Sequence, residues 1–309
     1  MSLARTVILL VLASTLAGCA SLDLGRYRAL EIDATASGTD WHGLPLATGQ
    51  IIVTEHPGAT ALFLSLTAER FEPYVHVGLI VFEEGEPWVY DAMGIGLPMP
   101  WAQPNAHVRG GVRRLPLKNF LARRGIVAVY APPAGVDAQA VARFAQAREA
   151  EGFPFDSHYD ASDASRYYCA EFVARALESA GAQPFEPIPV TRNPSVRVAL
   201  DWLDIDTRGL LLAGGLVDES RRVALMSADF TVTEIERYFV LKRELHRRFT
   251  DDQRLGNLLY WRWQRLRLRP QVDAFYDRGV AESTDPARLA DEMFGAMNGD
   301  RGAQLAEAR

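Results

Sequence analysis

Cysteine usage constrains the fold of this chain most strongly. Its 309 residues include two cysteines, Cys19 and Cys169, and the sequence around each one indicates a different role. Neither is expected to form an internal disulfide, so the fold must be held by a hydrophobic core. A hydrophobic content of 48% and a charged content of 23% are ordinary for a globular domain. The net charge of -6 gives no reason to expect nucleic-acid binding.

The first 18 residues have the anatomy of a secretory signal peptide. Arg5 precedes an apolar run over residues 7–12, and the segment closes with Leu16-Ala17-Gly18-Cys19. This run is too short to span a bilayer as a mature helix. The last four residues resemble the lipobox of bacterial lipoproteins, whose cysteine is acylated before the signal is removed. An ordinary signal peptide with a cysteine near its cleavage site is the alternative.

The lipobox resemblance implies that the mature chain starts at Cys19 and is held at a membrane by lipid. Ala20 and Ser21 resemble the sorting pattern for the outer membrane. The expected location is therefore the cell envelope, and the periplasmic face of the outer membrane if the cell has two membranes. Residues 19–46 are then predicted to be a tether.

Cys169 lies at the predicted start of an amphipathic helix. Apolar residues recur at helical spacing from 172 to 180, with Ser165 as a candidate N-cap and Gly181 as the stop. In the first turn, free N–H groups and the positive end of the helix dipole stabilise a thiolate. This position suits a nucleophile, whereas the alternative is a buried structural cysteine.

A histidine base for such a nucleophile is offered by a predicted buried strand. His76 lies within an aromatic and β-branched run over residues 74–82, and a second run over 87–92 follows a short polar turn. If the two runs form an antiparallel hairpin, Asp91 can lie near His76 and fix its tautomer. A satisfied core histidine is the alternative reading of His76.

Five segments together carry a family resemblance. They are 48–53, 76–80, 89–92, 152–156 and 167–173, and they look like the circularly permuted branch of the NlpC-type papain-like superfamily, in particular its YiiX-like subgroup. Lecithin retinol acyltransferase is a more distant relative. In this branch the histidine strand precedes the cysteine helix, as His76 precedes Cys169. The resemblance runs from near Thr48 to near Ala182.

The resemblance implies an α+β fold, with a permuted papain-like core whose small antiparallel sheet packs on the nucleophile helix. The expected domain covers residues 47–204, and a helical C-terminal extension covers 205–309. By the same resemblance Cys169 is the nucleophile, His76 the base and Asp91 the third catalytic residue. The family often has glutamate at that third position. It also commonly has aspartate where Gln50 stands and serine where Ala170 stands.

Two further residues are candidates for the oxyanion site or the cleft. Tyr168 precedes the nucleophile, although packing of its ring is the favoured interpretation. His56 follows the first strand of the core and is also compatible with an ordinary loop. No HExxH, CxxC or paired-histidine spacing is present, so neither a metal nor another cofactor is expected.

The C-terminal region is predicted to be helical and basic. Thr231 to Glu234 has the spacing of a capping box, and a second helix is predicted over 252–269, ending at Pro270. These segments are rich in arginine, tryptophan and tyrosine. Such a surface suits anionic head groups or covers the active site, whereas the favoured interpretation is an amphipathic pair packed on the catalytic domain.

Together these features predict a membrane-anchored cysteine hydrolase or acyltransferase acting on an amide or ester. A cell-wall peptide and a lipid-like acyl compound are the two candidate substrates. Two alternatives remain: an envelope lipoprotein that uses the papain-like core as a binding module, and a scaffold acting through its C-terminal helices.

Overall fold

A computed structural model describes residues 27–95, 108–122, 125–249, 253–262, 265–282 and 284–307. The predicted signal peptide over residues 1–18 and the lipidation site Cys19 lie outside these residues. Within the described part of the chain, no helix combines the length and apolar character needed to span a membrane.

Thirteen strands occur in the described residues. They are β1 (Arg28–Ile32), β2 (Thr39–Trp41), β3 (Leu44–Leu46), β4 (Ile51–Glu55), β5 (His76–Glu83), β6 (Glu86–Ile95), β7 (Arg109–Pro116), β8 (Ile126–Tyr130), β9 (Ile188–Pro189), β10 (Gly209–Leu210), β11 (Arg222–Ser227), β12 (Leu259–Arg262) and β13 (Arg265–Leu268).

Nine α-helices occur in the same residues. They are α1 (Ala59–Thr67), α2 (Leu117–Leu121), α3 (Ala138–Ala150), α4 (Cys169–Ser179), α5 (Pro194–Trp202), α6 (Val232–Arg248), α7 (Leu255–Leu258), α8 (Pro270–Ala281) and α9 (Pro286–Glu307). The predicted capping box is confirmed at the start of α6, where Thr231 and Glu234 bond reciprocally.

Seven strands form one antiparallel sheet in the order β1-β11-β8-β4-β5-β6-β7. Its central hairpin joins β5 to β6 through Glu84 and Gly85, which both have positive φ angles, of 51° and 87°. Positive angles at both turn positions match the twist of the flanking strands and fix their register. The two predicted strands therefore pair as expected, and the α+β class is confirmed.

The sheet is covered on both faces. One face packs against α3 and against α4, which begins at Cys169, and the opposite face packs against α2 and the small β2-β3 hairpin. A further apolar cluster joins α1 and α5 to the C-terminal elements. Central strands such as β4 and β8 are buried along their whole length because both of their faces are covered.

Three sequence predictions differ from this architecture. The predicted tether over 19–46 includes β1, which pairs with β11, and the buried residues Leu44 and Leu46. The predicted boundary at 204 would separate β11 from its neighbour β8, although both belong to one sheet. Both errors concern strand pairing between distant segments, which leaves no local pattern in the sequence.

The second predicted C-terminal helix is also wrong. Residues 259–262 and 265–268 pair as the antiparallel strands β12 and β13, and helix α8 begins only at Pro270. Leucine and arginine alternate from Arg265 to Arg269 with the period of two that is typical of a strand. The extension is therefore a mixture of helices and strands, and the sheet is larger than the small sheet expected.

Candidate active site

The thiol of Cys169 lies at the first residue of helix α4. Tyr168 is extended, and the first intrahelical bond runs from the N–H of Phe172 to the carbonyl of Tyr168, over 2.9 Å. The backbone N–H groups of the first three helical residues thus precede the helical ladder. Ser165 is not the cap, because its N–H and hydroxyl both donate to Asp163 in the preceding turn.

His76 and Asp91 form a buried hydrogen-bonded pair. The Nε2 atom of His76, the first residue of β5, lies 2.8 Å from Oδ2 of Asp91 on β6. The hairpin register brings Asp91 beside Gly78, where a Cβ would stand 2.8 Å from a Val89 methyl and 3.4 Å from the Asp91 Cβ. Glycine at 78 thus lets the carboxylate pack close against β5.

Arg113 binds the carboxylate of this pair, and it was not identified from the sequence. It lies opposite Asp91 on β7, where its Nε donates to Oδ1 over 2.8 Å and its Nη2 donates to Oδ2 over 3.2 Å. Asp91 is fully buried, so a counter-charge offsets the cost of removing the carboxylate from water. The alternation of β7 could have suggested an inward-facing residue at 113, but the sequence does not show its partner.

Charge and burial shift the pKa values of both His76 and Asp91. Burial alone would raise the pKa of Asp91, but hydrogen bonds and charge from His76 and then Arg113 lower it to about 2. Burial lowers the pKa of His76, whereas the thiolate charge of Cys169 and hydrogen bonds with Asp91 and Cys169 raise it, and the net direction is upward. The net upward direction therefore favours the imidazolium form of His76 beside the Asp91 carboxylate.

Cys169 and His76 both line an apolar cavity of about 190 Å³. Its walls come from α1, α5, the strands β5 and β6, and the segment from Leu210 to Ala213. No lysine or arginine is among the described lining residues, and Glu72 is their one carboxylate. The thiol therefore faces an environment suited to hydrocarbon.

The two candidate cleft residues differ in position. Tyr168 lines the cavity, but its hydroxyl accepts a hydrogen bond of 2.8 Å from the N–H of Leu211, which supports the packing interpretation. His56 is exposed in the loop after β4 and does not line the cavity, contrary to the expected place at the cleft. A histidine directly before Pro57 follows the loop chemistry instead.

Tyr159 lies at the cavity and was not singled out from the sequence. Its φ angle of 56° is left-handed, a conformation that costs of order 1 kcal/mol in a non-glycine residue and occurs often at functional sites. The Asp156 carboxylate supports this loop by accepting the N–H groups of His158 and Asp160. Burial and then the charges of Cys169 and Asp156 raise the pKa of Tyr159, so its hydroxyl remains a donor.

A metal centre has no support in the described part of the chain. No group of three or more His, Cys, Asp or Glu side chains there is arranged to hold a metal ion. Asp91, the carboxylate beside His76, is engaged by Arg113, whose positive charge would repel a cation.

Comparison with known proteins supports the family resemblance. Residues 46–186 match the family described as permuted papain-like amidase enzymes, YaeF/YiiX, C92 family. No curated protein matches the chain. A similar solved structure is the crystal structure of metalloprotein yiiX from Escherichia coli O157:H7, with 22% identity over 57% of this chain and 94% of that chain and a TM-score of 0.44. The family match confirms the predicted resemblance to the permuted papain-like amidases of the YaeF/YiiX family over residues 46–186, and it does not bear on the predicted lipoprotein signal or on the more distant resemblance to lecithin retinol acyltransferase.

Proposed function

We propose that this protein is a membrane-anchored cysteine hydrolase or acyltransferase that cleaves the amide or ester bond of an acyl chain. The amidase family match over residues 46–186 supports the general class. The observation that carries the finer proposal is that Cys169 and His76 share the wall of one apolar cavity. Nucleophile, base and hydrocarbon-binding surface are thereby adjacent.

Proton transfer follows from the orientation of the imidazole. The Nε2 atom of His76 is engaged by Asp91, so the Nδ1 atom is left to take the proton of Cys169. Asp91 fixes this tautomer and stabilises the imidazolium that forms, while Arg113 holds the carboxylate in place as a positioning residue. The resulting thiolate is stabilised by the positive end of helix α4.

Attack of the thiolate on a carbonyl carbon creates an oxyanion, for which donors lie nearby. The backbone N–H groups of Cys169 and Ala170 precede the helical ladder of α4 and point out of its N-terminus. The Tyr159 hydroxyl on the cavity wall is a further candidate donor. Collapse of the intermediate expels the amine or alcohol, which takes the proton from His76, and water or another acceptor then releases the acyl group.

The cavity favours an acyl substrate over a cell-wall peptide. Stem peptides carry carboxylates, which need cationic partners when taken out of water, and the described lining residues include no lysine or arginine. A dry cavity of about 150 Å³ holds a benzene molecule, so a space of about 190 Å³ accommodates on the order of six or more carbons of an acyl chain.

The proposed location follows from the sequence around Cys19. Its lipobox resemblance supports anchorage by acyl chains, each buried methylene of which contributes ~0.8 kcal/mol to membrane binding. The folded part of the chain would then be held at the cell envelope, on the periplasmic face of the outer membrane in a cell with two membranes. Membrane attachment would also place the cavity close to lipid-like substrates.

The test is the capture of an acyl-enzyme. The protein is incubated with N-acyl amides and acyl esters of two to sixteen carbons and with a stem peptide, and intact mass spectrometry follows the added acyl group. We expect a thioester on Cys169 with medium-length chains, its absence in Cys169→Ala and its slow formation in His76→Ala. Adding an amine or alcohol acceptor then separates transfer from hydrolysis.

Two results would overturn the proposal. Reaction with the stem peptide but not with acyl compounds would reassign the substrate class. An unreactive Cys169, with no acylation and with alkylation by iodoacetamide no faster than that of a free thiol, would point to the non-catalytic binding module instead.

A further inference from the structure

The β12-β13 hairpin has one apolar and one cationic face. Its cross-strand pairs alternate, with Leu259 opposite Leu268 and Trp261 opposite Leu266 on one face, which the core covers in part. The other face carries Tyr260 opposite Arg267 and Arg262 opposite Arg265. Arg262, Arg265 and Arg267 are exposed, and none of them forms an ion pair with another described residue.

Exposed aromatic residues border this cationic face. The ring of Trp261 meets that of Trp202, at the end of α5, edge to face with centroids 5.8 Å apart. Trp202 is 44% exposed, Trp261 is 38% exposed and nearby Val198 on α5 is 67% exposed. Tryptophan pairs of this size in water are costly, whereas the bilayer interface accommodates their apolar body and polar N–H.

The same surface borders the walls of the active-site cavity. Helix α1 packs on β13 with one part of its length and contributes Thr60 and Phe63 to the cavity. Helix α5, which carries Trp202, contributes Leu200 to the cavity wall. Lipid bound at this surface would therefore lie next to the helices that form the wall of the Cys169 cavity.

We propose that the exposed edge of the β12-β13 hairpin, with Trp261 and its neighbour Trp202 on one side and Arg262, Arg265 and Arg267 on the other, rests on the surface of an anionic phospholipid bilayer. Residues 254–269 contain five arginines and no acidic residue, in a chain with 33 basic and 39 acidic residues. Asp201 and Asp273 are the carboxylates beside this edge. A local cationic and aromatic surface on an acidic body is complementary to anionic head groups and is oriented by them.

The proposed lipid anchor makes this contact geometrically accessible. Seven residues lie between Cys19 and Tyr27, the first described residue, and the eight Cα–Cα steps across them span at most about 28 Å when fully extended. The described part of the chain is thus kept close to the bilayer, so weak surface contacts suffice to orient it. Delivery of an acyl substrate to the cavity rests on the proposed function, but the membrane contact itself does not.

The test measures tryptophan quenching in the full chain. The protein is reconstituted into vesicles of phosphatidylcholine, with and without phosphatidylglycerol, that contain brominated lipids as quenchers. Two of the six tryptophans lie at the proposed edge, so its contact with the bilayer should quench up to about a third of the emission. We expect this quenching in the anionic vesicles and its loss in Trp202→Phe/Trp261→Phe and in Arg262→Glu/Arg265→Glu/Arg267→Glu.

A matched control reverses three other exposed arginines. Arg143, Arg247 and Arg288 are 68%, 62% and 64% exposed, and their reversal changes the net charge equally while leaving the hairpin intact. This control should retain the anionic-lipid quenching, and urea unfolding of each variant verifies its fold. The readout requires no turnover, so failure of the proposed hydrolase activity would leave it unchanged.

Three outcomes would overturn the membrane assignment. They are equal quenching in neutral and anionic vesicles, equal loss in the hairpin and control reversals, and a concentration-dependent dimer that Trp202→Phe/Trp261→Phe abolishes. The last outcome would assign the edge to a second copy of the chain.

Discussion

Replacing Asp91 by asparagine tests the electrostatics of the site directly. The side chain keeps its shape and one oxygen that can accept a hydrogen bond from His76, but its charge is lost. Its amide NH₂ group would also face the Arg113 guanidinium, which now donates to both carboxylate oxygens. The partly exposed Arg113 guanidinium and the buried His76 ring would thus lose their counter-charge, and this effect can be separated from loss of shape.

The magnitude follows from the pKa of the carboxyl group. The pKa of Asp91 falls from 3.8 to about 2 in the folded protein, which at ~1.36 kcal/mol per pKa unit corresponds to about 2 kcal/mol of unfolding free energy. Because the folded pKa lies below the unfolded one, this stabilisation is complete above about pH 5 and is lost as the pH falls through about 2. Near pH 3, about 1 kcal/mol of this stabilisation is lost.

Urea unfolding at pH 6 and pH 3 measures this difference. We expect the unfolding free energy of the wild-type protein to exceed that of Asp91→Asn at pH 6, and this difference to shrink by about 1 kcal/mol at pH 3. The other carboxyl groups titrate in both proteins and cancel in the comparison. His76 does not cancel, because Asp91 raises its pKa, so its titration midpoint is measured by NMR in both proteins and its contribution is subtracted. A gap that stays constant between the two pH values would refute the reasoning, since it would mean that the charge of Asp91 adds no stability.

Three further outcomes are expected. Burial lowers the pKa of His76, but the charges and hydrogen bonds of Cys169 and Asp91 raise it more. An NMR titration of the ring should therefore have its midpoint above 6.5, and a midpoint below 6.5 would contradict the ion pair between His76 and Asp91. Gly78→Ala should lower the free energy of unfolding by ~1–3 kcal/mol in thermal unfolding, because its Cβ would lie 2.8 Å from a valine methyl. In the control Gly256→Ala the added Cβ meets nothing within 4 Å, so its free energy of unfolding should stay within about 0.5 kcal/mol of wild type. Lys242→Met should cost ~3–5 kcal/mol because it leaves Glu55 charged and buried, and the double variant with Glu55→Gln should cost less, as urea unfolding can show.

The residues that sequence could place are those whose positions depend on local structure. Cys169 follows from the helix pattern, and the meeting of His76 with Asp91 follows from a two-residue turn that fixes the hairpin register. Arg113 is close to them only through pairing of β7 with β6 across an intervening loop. Its role is therefore visible only once the strands are placed.

The C-terminal errors have a similar physical origin. The helix predicted over 252–269 includes strands β12 and β13 instead, and the alternation of arginine and leucine in β13 has the period of two that is typical of a strand. Strand β11 carries an apolar run that is compatible with several elements. Its position between β1 and β8 depends on distant partners.

The same division between local and distant contacts separates the proposed catalytic residues from the residues that line the cavity wall. The family match over 46–186 includes Cys169 and His76 but not the lining residues from Leu200 to Ala213. That outer wall is joined to the nucleophile helix by the bond from the Leu211 N–H to the Tyr168 hydroxyl. Chain selectivity should thus differ between relatives that share the same nucleophile and base.

The same wall changes how a deletion after Asp204 should be interpreted. Such a deletion would serve to separate a C-terminal scaffold from an independent hydrolase only if the first 204 residues formed a complete domain. It would instead remove β11 from the sheet, the segment from Leu210 to Ala213 from the cavity, and the Lys242 partner of buried Glu55. We therefore expect the truncated chain to lose cooperative unfolding in circular dichroism. A truncated chain that unfolds cooperatively and still forms an acyl-enzyme would show that the wall is dispensable.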